Sequence, residues 1–189
     1  MTVSVVRRKP MTLAEFLDWE ERQEFKHEFD GVGPVAMTGG TIAHAIIGRN
    51  LVATLITLLR GKPCQPFGSD LKLQVGGSIR YPDAFVVCKT VAPKDKVVHD
   101  PVVIFEVLSD STAHTDRGRK NEEYRDTPSV MRYVMLEQDS MRATVFARED
   151  GRWVGSILSG DSVLAMPKIG IEIPLAELYE GVDFPPEAA

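Results

Sequence analysis

Cysteine is scarce in this chain of 189 residues, which contains only Cys64 and Cys88. Neither cysteine lies in a CxxC pair or in a cysteine and histidine cluster, so the spacing argues against a structural zinc site. Two isolated cysteines are also too few for the disulfide framework that holds small secreted domains together. We therefore expect the fold to depend on an apolar core.

Long apolar runs are also lacking. No segment approaches the ~18 to 20 unbroken apolar residues of a membrane-crossing helix. The N-terminus carries Arg7-Arg8-Lys9 without the apolar stretch of a signal sequence. These absences predict a cytoplasmic protein with no membrane partner.

An excess of positive charge is the third feature that the chain lacks, since its formal net charge is -5. This balance argues against a protein that coats nucleic acid by charge alone, but it leaves room for a local basic face. Scattered basic residues such as Arg80 are expected on a solvated surface.

The length and the 43% hydrophobic content fit one globular domain. We predict an N-terminal arm at residues 1–10, the domain at residues 11–182 and a loose C-terminal tail at residues 183–189. Helices are predicted at residues 12–24, 43–60, 116–125 and 175–179. A hairpin is predicted at residues 25–38, and strands at residues 64–67, 71–75, 79–87, 102–108, 130–136, 143–147, 153–158 and 169–173. This order predicts an α/β layered domain with a mixed sheet.

Two acids stand in otherwise apolar segments. Glu106 is the only charge in residues 102–108, and Asp83 precedes the apolar residues 84–87. A buried carboxylate costs several kcal/mol unless a cation or strong donors compensate it. Because Asp83 follows a proline, which favours strand starts and edges, the two acids could meet where neighbouring strands diverge. Paired carboxylates of this kind suit Mg²⁺, so the sequence predicts a metal site.

Lys120 is the best candidate for a cation beside that site. It lies one to two turns into the helix that follows the Glu106 strand, so its ammonium could reach back over the strand end. A phosphodiester hydrolase needs a cation there, next to the attacking water. The alternative is a local ion pair between Asp116 and Lys120, worth only ~0.3 to 0.5 kcal/mol. Spacing alone leaves both interpretations open.

An ordered series of motifs surrounds these residues. It comprises Tyr81-Pro82-Asp83, Val103-Ile104-Phe105-Glu106-Val107-Leu108-Ser109, Ser111-Thr112, Asp116, Lys120 and Tyr124. The series resembles the Uma family of restriction-endonuclease-like bacterial proteins, within the PD-(D/E)xK nuclease superfamily. Further similarity lies in Glu28-Phe29-Asp30-Gly31, Met37, His44, Gly68-Ser69-Asp70 and Ile169-Gly170-Ile171. The resemblance covers about residues 11–182 and implies a restriction-endonuclease-like α/β fold, a mixed sheet with flanking helices.

The resemblance implies a catalytic set of Asp83, Glu106 and Lys120. Asp83 and Glu106 would bind Mg²⁺ or Mn²⁺, with the backbone carbonyl of Val107 as a third oxygen ligand. In the basic pattern of the superfamily a lysine stands two residues after the glutamate, but Leu108 occupies that position here. In the Uma family the lysine lies on the following helix, which matches Lys120. It would orient or deprotonate the water and stabilise charge on the phosphorus centre.

Three further residues are secondary candidates. Glu28 would contact the metal through water, as an acid in many superfamily members does, or would form a surface ion pair. His44 would face the site, or would cap or pack its helix. Asp116 would pair with Lys120 or complement the dipole of its helix.

The implied function is a metal-dependent endonuclease that acts on nucleic acid, with DNA as the expected substrate. A homodimer is expected because cutting both strands is simplest with two sites. The alternative from another class is a non-catalytic nucleic-acid-binding or regulatory domain that keeps the nuclease fold, and the acidic net charge favours it slightly. A glycosidase built on a carboxylate pair is less favoured, because nothing indicates a sugar-stacking aromatic groove near the acids.

Overall fold

Short strands and a few helices alternate along the chain in a computed structural model, which describes residues 10–37, 39–109 and 113–184. The helices are α1 (Leu13–Glu20), α2 (Ile42–Leu59), α3 (Ala113–Thr115), a π-helical turn (Asp116–Lys120), α4 (Asn121–Asp126) and α5 (Leu175–Leu178). The strands are β1 (His27–Phe29), β2 (Pro34–Ala36), β3 (Gln65–Gly68), β4 (Lys72–Val75), β5 (Ser78–Arg80), β6 (Ala84–Val87), β7 (Val97–Val98), β8 (Val103–Val107), β9 (Arg132–Leu136), β10 (Arg142–Glu149), β11 (Arg152–Ser159), β12 (Val163–Met166) and β13 (Ile171–Pro174). Residues 1–9 of the predicted arm, residues 185–189 of the predicted tail, Thr38 and the Ser111-Thr112 pair lie outside the described residues.

The main sheet has six strands in the order β11-β10-β9-β8-β6-β3. Strands β8 and β9 run parallel, and the other neighbours are antiparallel, so the sheet is mixed. A five-stranded sheet has the order β2-β1-β5-β4-β7, and β12 pairs with β13. The predicted architecture, an α/β domain with a mixed sheet and flanking helices, is confirmed.

Helix α2 closes one face of the six-stranded sheet. Ile47, Leu51, Leu55 and Leu59 recur at helical spacing, and all four are buried in a core cluster with residues of β6, β8 and β9. By length and hydropathy α2 also has the character of a membrane-crossing helix, and it is the only such helix within the described part of the chain. The run of apolar residues in α2 is interrupted by His44 and Arg49, and a helix that packs in a protein core passes the same test of length and hydropathy.

Helix α1 begins as the sequence predicts and ends earlier. The Thr12 hydroxyl accepts a hydrogen bond from the Glu15 N–H (3.2 Å), and the Glu15 carboxylate accepts one from the Thr12 N–H (2.7 Å). The helix stops at Glu20 rather than at residue 24. Beyond it the N–H of Gln23 donates to the carbonyl of Glu20, a tight turn that ends the α-helical pattern.

The predicted strand at residues 79–87 is in fact two strands in different sheets. β5 pairs with β1 and β4, whereas β6 pairs with β3 and β8. The break falls at Tyr81-Pro82-Asp83, where Pro82 has no N–H for a ladder hydrogen bond. Asp83 therefore lies where the chain passes from one sheet to the other.

The predicted helix at residues 116–125 is not α-helical throughout. Its first turn, Asp116–Lys120, is π-helical and connects α3 to α4. A π turn contains one residue more than the hydrogen-bonded turn of an α-helix. Both Asp116 and Lys120 are buried by this arrangement.

Two short strands were not predicted. Val97–Val98 lies within the lysine-bearing loop expected at residues 89–100 and pairs in parallel with β4. Val163–Met166 pairs with β13. Segments this short carry too few alternating residues for a periodic signal.

The prediction that the two cysteines are isolated is wrong. The register of β3 and β6 places Gln65 opposite Val87, so Cys64 and Cys88 are the next opposing pair, and they form a disulfide. They are 24 residues apart in sequence. Only the antiparallel pairing of the two strands brings them together.

Candidate active site

A cavity of about 210 Å³ lies beside the end of β8, where the chain switches sheets. All of the residues singled out by the sequence contribute to its lining. They are Glu28, His44, Asp83, Glu106, Val107, Asp116 and Lys120. These side chains come from β1, α2, the β5–β6 connection, β8 and the π turn, so only the folded chain assembles them.

Lys120 is at the centre of the charged groups. Its Nζ lies 3.1 Å from Glu106 Oε1, 3.2 Å from Glu28 Oε1 and 3.0 Å from Asp116 Oδ1. Lys120 therefore makes both of the contacts considered from the sequence: its ammonium pairs locally with Asp116, and it also reaches Glu106 on the preceding strand. Burial disfavours the ammonium, but the three carboxylates outweigh it and raise the pKa of Lys120. In the metal-free protein Lys120 is a fixed cation rather than a base.

Glu106 is the buried acid that the sequence placed in an apolar strand, and its side chain is 5% exposed. Its Oε1 accepts hydrogen bonds from Lys120 Nζ (3.1 Å) and from the Tyr124 hydroxyl (2.8 Å). Burial raises the pKa of Glu106 to about 8, with Lys120 opposing the shift and the neighbouring acids reinforcing it. Without a further cation, burial favours the protonated form of this carboxyl.

Asp83 is hydrogen-bonded to the end of β8, the strand that carries Glu106. Its Oδ2 accepts a hydrogen bond of 2.6 Å from the Val107 N–H, and its Oδ1 lies 3.4 Å from His44 Nε2. The β6–β8 pairing sets this position, because Ala84 is opposite Phe105 in the ladder. The carboxyls of Asp83 and Glu106 thus border the same cavity from adjacent strands.

His44 faces the site rather than capping its helix. The cap of α2 is Thr41, whose hydroxyl accepts from the His44 N–H. The hydrogen bond to Asp83 raises the pKa of the His44 imidazole despite partial burial, and a hydrogen bond to the Val107 backbone adds to the shift. The imidazole therefore lies against two of the groups expected to bind metal.

Glu28 lies in strand β1 of the predicted hairpin and is buried, and it forms ion pairs with Arg80 and Lys120 rather than at the surface. Its Oε1 accepts from the Tyr81 N–H (3.1 Å), and its Oε2 accepts from Arg80 Nη1 (3.0 Å). Although burial opposes ionisation, Lys120 and Arg80 lower the pKa of Glu28. Glu28 is therefore an ionised bridge between two buried cations.

Arg80 is a component that sequence reasoning missed, and its side chain is 1% exposed. Its Nε and Nη2 form a fork onto the two carboxylate oxygens of Glu123, each at 2.8 Å. This pair joins β5 to α4. The available signal was its position directly before Tyr81-Pro82-Asp83, in a short strand whose three residues are all buried.

The donor set of the cavity fits a hard divalent ion. No group of three His, Cys, Asp or Glu side chains that could hold one metal ion exists among residues 10–37, 39–109 and 113–184. Mg²⁺ does not require one, because it commonly takes one or two carboxylates and keeps several waters. Four carboxyls line the cavity against one lysine and one histidine. This excess of acid, with the raised pKa of Glu106, indicates that a cation would be stabilised here.

The metal-free protein is expected to lose stability as the pH rises from about 6 to about 9. Between the ordinary pKa of 4.5 and about 8, folded Glu106 holds a proton that the unfolded chain has released, so unfolding becomes easier with rising pH. His44 acts in the same direction, because the stabilisation from its raised pKa is lost above that pKa. We expect the Tm in EDTA to fall by about 5 to 10 °C over this range, as measured by calorimetry.

Glu106→Gln is the matched control for this prediction, because it keeps the shape and removes the titration. Its Tm is expected to fall by clearly less over the same range, leaving the part due to His44. An equal fall in the variant and the parent would show that Glu106 does not carry the effect.

Two sequence relatives match this chain along most of their length. The uncharacterized protein slr1290 of Synechocystis sp. is 32% identical over 177 residues, which is 90% of this chain and 92% of the relative. The uncharacterized protein sll1609 of the same organism is 29% identical over 164 residues, or 84% of this chain and 93% of the relative. Neither name states an activity.

A solved structure and a family model complete the comparison. The crystal structure described as "a putative nuclease belonging to DUF820" from Anabaena variabilis has a TM-score of 0.74 and 16% identity, covering 90% of this chain and 98% of that one. At this identity the likeness shows a shared fold. The model of the Uma2 family, described as "Putative restriction endonuclease", matches residues 13–176. The resemblance seen in the motifs is thereby confirmed, and this chain belongs to the Uma2 family.

Proposed function

We propose that this protein is a metal-dependent nuclease that hydrolyses phosphodiester bonds in nucleic acid, with DNA as substrate. The observation that carries the proposal is the contact of buried Lys120 with buried Glu106, 3.1 Å apart, in the cavity that Asp83 also lines. The description of the family and the name given to the Anabaena variabilis protein support the same class of activity. The excess of carboxyls in the cavity supports the requirement for Mg²⁺ or Mn²⁺.

Each residue of the site has a role in this proposal. Asp83, Glu106 and the Val107 carbonyl hold the ion, which supplies Lewis-acid polarisation of the phosphoryl oxygen and a more acidic water when bound. Lys120 stays protonated and stabilises the negative charge that develops on the phosphoryl oxygens. Tyr124 fixes the Glu106 carboxyl through its 2.8 Å hydrogen bond. Glu28 holds the Lys120 ammonium against this group.

In this proposal the protein acts in the cytoplasm. It acts as a homodimer, because two sites are the simplest way to cut both strands of a duplex. The rival is a nucleic-acid-binding or regulatory domain without catalysis. The net charge of -5 disfavours tight binding of a polyanion in general, so among these rivals it favours the regulatory domain.

The test is a cleavage assay at low salt with plasmid, linear duplex, single-stranded DNA and RNA, with Mg²⁺, Mn²⁺ or EDTA. We expect cleavage that requires metal and that Asp83→Asn abolishes. The matched control is Asp161→Asn, which changes an exposed acid far from the motif and should cut like the parent. Metal binding by calorimetry without cleavage of any substrate would favour the rival, and cleavage by Asp83→Asn at the parental rate would refute the site.

A further inference from the structure

A second cavity, of about 340 Å³, adjoins the catalytic one. It lies between α2 and the turn that joins β3 to β4. Residues that line it include His44, Gly48, Arg49, Gly68, Ser69 and Asp83. His44 and Asp83 line both cavities. The two cavities therefore share the His44–Asp83 pair as a common border.

The charged groups of this second cavity suit a polyanion. The guanidinium of Arg49 contacts only the neutral Asn50 Oδ1, at 3.1 and 3.3 Å, and forms no ion pair with a carboxylate of the described residues. An exposed acid in the lining, Asp70, is neutralised by Lys26 at 2.5 Å. Arg49 is therefore a cation in this lining whose charge no carboxylate of the described residues neutralises.

The wall of the cavity is kept open by a glycine in the middle of α2. A Cβ at Gly48 would meet no atom within 4 Å, so packing against the protein does not require glycine here. Its φ is also not in the left-handed region, so the backbone does not require it. Glycine inside a helix costs about 1 kcal/mol relative to alanine. Glycine at position 48 therefore makes the helix less stable, and any larger residue there would place its side chain in the cavity.

We propose that this cavity binds the sugar-phosphate backbone of the substrate strand next to the bond that is cut, with Arg49 contacting a phosphate. The proposal rests on the proposed function for the identity of the substrate. A strand that lies on the catalytic cavity would follow a path over the shared His44 and Asp83 side chains into the second cavity. When Arg49 binds a phosphate, its guanidinium gives up only the hydrogen bonds to the neutral Asn50 side chain, so no ion pair is broken.

The first test measures binding of fluorescently labelled single-stranded and duplex oligonucleotides by anisotropy, in EDTA, so that no cleavage occurs. Arg49→Ala is expected to weaken binding about 5- to 10-fold at low salt and to reduce the salt slope by about one. The matched control is Arg60→Ala, which removes an exposed arginine at the other end of the same helix. It should change affinity less than about two-fold, as a surface cation away from the path.

The second test fills the cavity. Gly48→Ala should raise the Tm, because alanine favours the helix, and should weaken binding less than a longer side chain does, because it adds one methyl group to the cavity. Gly48→Met should keep a Tm at or above that of the parent and weaken binding about 10-fold, because its side chain enters the space of the strand. A loss of affinity in a protein that is not destabilised cannot be attributed to misfolding.

The outcomes separate this inference from the proposed function. If Arg49→Ala and Gly48→Met bind like the parent, or if the parent binds no oligonucleotide, the inference is wrong. If both variants cleave nucleic acid at the parental rate, the proposed nuclease activity is supported, but the substrate does not follow this path. If both variants lose binding and the parent cuts no substrate, the path is supported and the proposed nuclease activity is wrong.

Discussion

Lys120→Met is expected to lower the rate of metal-dependent cleavage by about 10²- to 10³-fold, the usual loss when one group that stabilises transition-state charge is removed. Methionine keeps the length of the side chain and removes the ammonium that lies 3.1 Å from Glu106. The measurement is the initial rate of plasmid nicking under saturating Mg²⁺, beside a calorimetric Tm for each protein.

Lys89→Met is the matched control for this prediction. Its side chain is 72% exposed and pairs only with Asp100, so the cleavage rate should stay within about two-fold of the parent. A folded Lys120→Met protein that cuts within ten-fold of the parental rate would show that the essential cation lies elsewhere. Loss of activity in both variants would point to a general effect of charge on substrate binding.

Arg80→Met is expected to lower the free energy of unfolding by about 3 to 5 kcal/mol. The substitution removes the guanidinium that contacts both the buried carboxylate of Glu28 and the carboxylate of Glu123, whose side chain is 17% exposed. The double variant Arg80→Met/Glu123→Met should be more stable than Arg80→Met, because it removes a stranded charge together with its partner. Urea unfolding at neutral pH measures all three proteins.

Arg22→Met is the control for that series, because Arg22 and Asp18 form an ion pair with side chains 61% and 74% exposed. It should cost less than about 1 kcal/mol. A similar cost for Arg22→Met and Arg80→Met would mean that burial does not strengthen the Arg80 contacts. A double variant no more stable than Arg80→Met would mean that Glu123 is not the stranded charge.

Local patterns predicted much of the fold. The capping box at Thr12 and the helical spacing of Ile47, Leu51 and Leu55 located α1 and α2, because hydrogen bonds and burial within one segment determine them. Pairings between distant segments were not predictable in this way. The Cys64–Cys88 disulfide depends on the register of two strands, and nothing in the spacing of the two cysteines encodes it.

The sequence predicted which residues line the site better than it predicted the contacts that position them. Charges in or beside apolar strands identified Glu106 and Asp83, the position of Lys120 on the next helix made it a candidate, and the family motif favoured all three. Arg80 was assigned to the surface with other scattered cations. It is buried because Glu28 and Glu123 approach it from β1 and α4, which only the tertiary structure shows.

The π turn at Asp116–Lys120 bears on how such a site can change in evolution. Deleting one residue there, such as Gly118, would restore α-helical winding and rotate the part of the helix before the deletion by about 100° relative to the part after it. Tyr124 and Glu123 lie on one side of that joint, and Asp116 on the other. A single codon gained or lost there can therefore change how Asp116 is oriented relative to Tyr124 and the Glu106 carboxyl, while every strand of the sheet keeps its sequence.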